Sequence, residues 1–143
     1  MFVPQLPYIP VGDLRAVVSY PLEDGAVDDR EVQEALTKVA LSQMVIRLNE
    51  VREWAKVLSV GEQQRIAFAR ILLSRPSVVF LDESTSAMDK GLELMLYELI
   101  RAEFPDTILI SVCHRATVEQ FHARRIRLIG DGDWRLDHLA PKS

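Results

Sequence analysis

The stretch Val78-Val79-Phe80-Leu81-Asp82-Glu83 decides the fold. Four apolar residues run unbroken, two of them β-branched, and two carboxylates close the run. Such a run predicts a strand buried on both faces, as in a parallel sheet. Just upstream, residues 61–74 carry Ile66, Ala69, Ile71 and Leu73 at helical spacing, and Pro76 ends the pattern. Downstream, residues 89–103 predict a second long helix with Leu92, Met95, Leu96 and Leu99 on one side. Thr107–Val112 then predicts another buried strand. Strands alternating with helices mean an α/β fold with a parallel sheet. Ligands of such sheets bind beyond the carboxyl ends of the strands, which is where Asp82 and Glu83 fall.

The flanks are less regular. Prolines at 4, 7, 10 and 21 make Pro4–Pro10 an extended loop after a very short strand. A short helix carrying Leu14, Val17 and Val18 follows Gly12. Asp28-Asp29-Arg30-Glu31 places acids in a first helical turn, and Val32, Leu36 and Val39 continue it. Leu41–Leu48 is a second apolar helical piece, so residues 12–57 form a small helical subdomain. Residues 115–122 predict a short helix. Arg125–Ile129 and Trp134–Leu136 predict a terminal pair of strands joined at Gly130-Asp131-Gly132. The expected division is 1–57 and 58–143, within one incomplete domain.

Bulk composition narrows the classes. At 143 residues and 48% hydrophobic content, the chain can bury one core. A net charge of -4 disfavours a free-standing nucleic-acid binder, and the cluster Arg124, Arg125 and Arg127 is too short to reverse that. The single cysteine, Cys113, cannot form an internal disulfide. No basic leader follows Met1, and no apolar run approaches the roughly 20 residues of a spanning helix. Any membrane part is expected from another segment or chain.

Five places carry candidate chemistry. Leu58-Ser59-Val60-Gly61-Glu62 opens the helix of residues 61–74, where unpaired N–H groups and the helix dipole favour an anion. The same residues also suit an ordinary capped start, with Ser59 as N-cap and a nearby glutamate. Asp82 could hold Mg²⁺, an oxygen-seeking ion, and Glu83 could orient or deprotonate a water. The alternative is a pair of solvated acids at a strand end. Ser84–Asp89 leads into the next helix, with Asp89 as its N-cap. His114 follows the second buried strand and reaches the same sheet edge; it could donate to a phosphate oxygen or be an ordinary loop histidine. Gln5, in the proline-bounded loop, could reach a metal or a water.

Taken in order, these motifs resemble the ATP-binding-cassette ATPases across nearly the whole chain. Gln5 matches the Q-loop of that family. Residues 58–62 match its signature motif, with Val60 where glycine is commoner and Glu62 where glutamine is commoner. Residues 78–83 match Walker B with the catalytic glutamate, residues 86–89 match the D-loop, and His114 matches the switch histidine. The stretches Pro4–Gly12, Ser19-Tyr20-Pro21 and Trp54–Arg65 are similar to the peroxisomal fatty-acyl transporter subfamily and its bacterial inner-membrane relatives. The resemblance implies a P-loop NTPase-type parallel sheet, ATP and Mg²⁺ as ligands, and a head-to-tail dimer with a second ATPase domain. It implies a transmembrane domain, fused upstream or separate, at the cytoplasmic face of the inner membrane. Glu83 and His114 would be catalytic, Asp82 and Gln5 would serve the metal, and Gln5, Ser59, Val60, Gly61, Glu62 and Asp89 would contact nucleotide.

The chain's largest departure from the family is at the phosphate-binding loop. The phosphate-binding loop has the pattern G-x-x-x-x-G-K-S/T. The glycines here are 12, 25, 61, 91, 130 and 132, and none precedes lysine. The P-loop strand is therefore missing from this sequence, and the expectation is a transporter ATPase fragment that does not hydrolyse ATP alone. The alternatives are a module that donates its signature motif to a partner ATPase, or a non-transport ATPase of the same family. Without the P-loop strand and helix, apolar sheet surface beside Val78–Leu81 is expected to be exposed and to favour self-association.

Overall fold

The computed structural model describes residues 1–139. The predicted run forms β4 (Val78–Asp82), which pairs in parallel with β1 (Phe2–Val3) on one side and β5 (Ile108–Val112) on the other. The start of the chain is bound into this sheet: the Met1 ammonium donates to the Val78 carbonyl at 2.6 Å. The expected α/β fold with a parallel sheet is present.

One helix organises everything else. α4 (Val60–Ser74) begins at the Ser59 cap and ends at Arg75, whose φ of 47° is left-handed, with Pro76 barring continuation. From Ile66 to Leu72 every residue is buried, because α4 packs against the helical part of the chain and against the helix of residues 90–103. α5 (Lys90–Glu103) lies beside it, burying Leu96, Tyr97 and Ile100.

The helical part comprises α1 (Leu14–Ser19), α2 (Asp29–Lys38) and α3 (Trp54–Val57). Leu14, Val17, Val32, Leu36 and Trp54 are fully buried there, in one continuous core with α4. A two-residue ladder between β2 (Gly12–Asp13) and β3 (Val51–Arg52) closes it. The expected helical pieces at 41–48 and 115–122 are 3₁₀ helices, Ser42–Arg47 and Ala116–Phe121, which wind more tightly than an α-helix and are used in short pieces.

The terminal strands form as expected, as a separate hairpin of β6 (Arg124–Gly130) and β7 (Asp133–His138). Arg125 of the short basic cluster pairs with Glu119 at 2.6 Å and with Asp137 at 3.0 Å.

One expectation is corrected. β4 and β5 are not buried on both faces. Val79, Leu81 and Leu109 pack against the helices, whereas Phe80 is 45% exposed and Ile108 59% exposed. Alternate residues of a strand point to opposite sides, and among the described residues only one side carries a helical layer. Phe2, Phe80 and Ile110 share one cross-strand row on the bare face. This is the exposed apolar sheet surface that the sequence led us to expect.

Candidate functional site

The three parallel strands end together, and their exits build the site. β4 runs out into Asp82 and then Glu83, whose φ of 51° is left-handed. That conformation is uncommon for a residue with a Cβ, and such residues gather at functional turns. It turns the chain sharply out of the sheet, while Glu83 N–H still donates to the Val112 carbonyl of β5 at 2.9 Å. β5 exits into Cys113 and His114, and His114 Nε2 lies 2.7 Å from Glu83 Oε1. A carboxylate oxygen only accepts, so Nε2 carries the proton in this contact. β1 exits into Gln5, whose Nε2 donates to Ser86 Oγ at 3.2 Å. Asp82 makes no ion pair or side-chain hydrogen bond among the described residues.

A second cluster lies at the start of α4. Ser59 Oγ accepts from Glu62 N–H at 3.2 Å, and Glu62 Oε2 accepts from Ser59 N–H at 2.8 Å. This capping box is the structural role the sequence left open. It does not consume the hydroxyl proton of Ser59, nor the first-turn N–H groups of Val60 and Gly61, which no carbonyl within the helix can reach. Those three donors face solvent at a helix N-terminus, where an anion is favoured. Gly61 has a further reason to be glycine: a Cβ there would stand 3.1 Å from the Ala87 carbonyl oxygen. Asp89 caps α5, as expected, accepting from Leu92 N–H at 2.9 Å.

Three residues not singled out in the sequence hold these pieces in place. Gln64, fully buried on α4, bonds to Gln5, Ser86 and Ala87. Glu93, 1% exposed on α5, accepts from Thr85 Oγ1 at 2.6 Å and from Thr117 Oγ1 at 2.9 Å. It thus ties the turn after Glu83 to the turn after His114. Arg70, also on α4, donates to the carbonyls of Val17 and Tyr8. Burial without a carboxylate partner pulls its guanidinium down to about 10. The available signal was a polar residue lying on an apolar helix face, as Gln64 and Glu93 both do.

The geometry suits chemistry on an oxygen-rich ligand. Asp82 and the amide oxygen of Gln5 are hard oxygen donors at one sheet edge, and an unpaired Asp82 carboxylate fits a Mg²⁺ ion that keeps several waters. Among the described residues no group of three or more His, Cys, Asp or Glu side chains could hold a metal by itself. The site is an open edge. The groove of about 380 Å³ nearby is lined by Phe2, Tyr8, Tyr20 and Arg70 and excludes Asp82, Glu83 and His114.

Comparison with known proteins agrees with this geometry. The family model described as ABC transporter matches residues 7–86. An uncharacterized ABC transporter ATP-binding protein of Haemophilus influenzae is 40% identical over 136 residues, which is 95% of this chain and 23% of that protein. The lysosomal cobalamin transporter of Homo sapiens is 36% identical over 146 residues, 95% of this chain and 24% of that protein. Among solved structures, a bacterial Atm1-family ABC exporter with ATP bound superimposes with a TM-score of 0.74 at 27% identity, covering 86% of this chain and 22% of the exporter. The chain thus spans about a quarter of the length of the relatives it matches.

Proposed function

The chain belongs to the ABC transporter family, and from that premise we propose that it forms the catalytic-carboxylate and signature part of an ATPase module that drives membrane transport. The observation that carries the proposal is the convergence of Gln5, Glu83 and His114 at the ends of three parallel strands, with Glu83 and His114 in contact at 2.7 Å.

The residues divide the work as follows. Asp82 and Gln5 supply oxygens to Mg²⁺, which when bound neutralises charge on the phosphates. Glu83 orients an attacking water and draws its proton. His114 holds one oxygen of Glu83 and leaves the other free for that water. This half of the module serves a nucleotide held by a P-loop on the same side. Ser59, Val60, Gly61, Glu62 and Asp89 serve the nucleotide of a second ATPase domain in a head-to-tail dimer. Residues 1–57 form the Q-loop and helical part, and residues 58–143 form the carboxylate core. No helix among the described residues is long and apolar enough to cross a membrane. The module works on a transmembrane domain, fused or separate, at the cytoplasmic face of the inner membrane.

Phosphoryl transfer rests on positioning and charge stabilisation, so the P-loop must come from outside residues 1–143. The test is ATP turnover by this chain assembled with a P-loop-bearing cassette. Glu83→Gln should lower kcat about 100-fold or more, because it removes the general base. Ser59→Arg should abolish turnover at the partner's nucleotide. Wild-type turnover that persists in Glu83→Gln would refute the assignment.

A further inference from the structure

Gln64 is 0% exposed, in a helix segment whose neighbours Ile66, Ala67 and Phe68 are all buried and apolar. A buried amide must find partners for both its ends. Nε2 donates to the Gln5 carbonyl at 2.9 Å and to Ser86 Oγ at 3.1 Å. Oε1 accepts from Ala87 N–H at 3.1 Å. The Gln5 carbonyl can only accept and the Ala87 N–H can only donate, so the orientation of the amide is determined by its partners. Ser86 Oγ also takes the side chain of Gln5 at 3.2 Å, which closes the network.

No other side chain reproduces this set. Glutamate has no donor for the Gln5 carbonyl when ionised, methionine has neither group, and asparagine is one methylene short. A shift of the Gln5 loop breaks the Nε2 bond and strands a buried amide, unless the Ser86–Ala87 segment follows. On the far side the Ala87 carbonyl lies so close to α4 that a Cβ on Gly61 would stand 3.1 Å from it, which places the Ser86–Ala87 segment directly against the start of that helix.

We infer that Gln64 is a positioning residue that locks the Gln5 loop to the Ser86–Asp89 loop, so that the parts serving the two nucleotides of the dimer move as one body. The inference rests on the ATPase reading for its functional meaning, and on the hydrogen bonds alone for the mechanical link. Gln64 touches no nucleotide, so its loss should act on turnover and not on binding.

Two measurements test it. In the ATP-hydrolysing assembly, Gln64→Met should lower kcat about 10-fold or more while KM for ATP changes less than about 3-fold. Gln64→Glu keeps the shape, loses the donor, and should do the same. In the 143-residue chain, hydrogen exchange should quicken about 10-fold or more at the Ala87 amide and at the Gln5 and Leu6 amides together, with the interior of α5 unchanged. If Gln64→Met does not fold, Ser86→Ala removes the shared hydroxyl at a half-buried position and should quicken exchange at the Gln5 and Leu6 amides. An unchanged kcat in an active assembly overturns the inference, as does loosening of one loop without the other. An inactive wild-type assembly overturns the ATPase reading instead, and the exchange result still decides whether the loops are coupled.

Discussion

Replacing Glu93 by leucine tests how the two chemical turns are braced. The Glu93 carboxylate is 1% exposed and accepts from Thr85 at 2.6 Å and Thr117 at 2.9 Å. Arg115 stands 3.6 Å away. Hydrogen bonds to a charged group contribute about 1.5–3 kcal/mol each, so the two together contribute about 3–6 kcal/mol. Leucine also relieves the desolvation of a buried charge, which offsets part of that. The expected net loss is about 3 kcal/mol. Thr117→Val removes one of the two bonds and should cost about 1.5–3 kcal/mol. The double variant should cost less than the sum by about 1–2 kcal/mol, since both single changes remove the same bond. Urea unfolding followed by circular dichroism reads these values. With a slope of about 2 kcal/mol/M, the Glu93→Leu midpoint should fall by about 1.5 M. A loss below about 1 kcal/mol, or strict additivity in the double variant, would refute the brace.

Three further outcomes are expected. Gly61→Ala should destabilise by about 1 kcal/mol despite the better helix propensity of alanine, because the Ala87 carbonyl at 3.1 Å is held from retreating by the Gln64 bond to its own N–H; thermal unfolding measures it, and Gly61→Val should cost about 3 kcal/mol. The bare sheet face should drive association of two copies: Phe80 leaves about 90 Å² of its surface exposed, worth about 2 kcal/mol when covered, so sedimentation should show concentration-dependent association that Ile108→Lys with Val112→Lys weakens. His122 makes stability fall in acid. Burial, then nearby Arg101, holds its protonation below the ordinary 6.5, although its bond to the Val118 carbonyl works the other way. The unfolded imidazole therefore takes a proton as pH drops through about 6.5 while the folded one resists, so stability present above that pH is lost below it. Urea midpoints from pH 8 to 5 should show this decline, and His122→Phe should flatten it.

Much of the site was legible in the residues themselves. Asp82 and Glu83 followed from an apolar run ending in acids, and Asp89 as a helix cap followed from its place before Leu92 and Leu96. The capping role of Ser59 was equally visible, because a capping box is local: its two partners lie three residues apart. Gln64 and Glu93 were not legible. Each looks like a polar residue in a helix, and the partners that explain it lie 59 and 24 residues away, respectively. The burial of β4 and β5 was misjudged for a related reason. An unbroken apolar run says that both faces are apolar, and it is silent on whether any element covers the second face.

Local pattern alone determined the order of strands and helices, the parallel class of the sheet and the identity of the acids at its edge. These depend on side-chain period, proline placement and capping, all short-range along the chain. Only the tertiary structure decided which loops touch. It set His114 on Glu83 and threaded the Gln64 amide between Gln5 and Ala87. Hydrogen bonds across such separations in sequence form only where packing brings the strand exits together, and no local rule records that meeting.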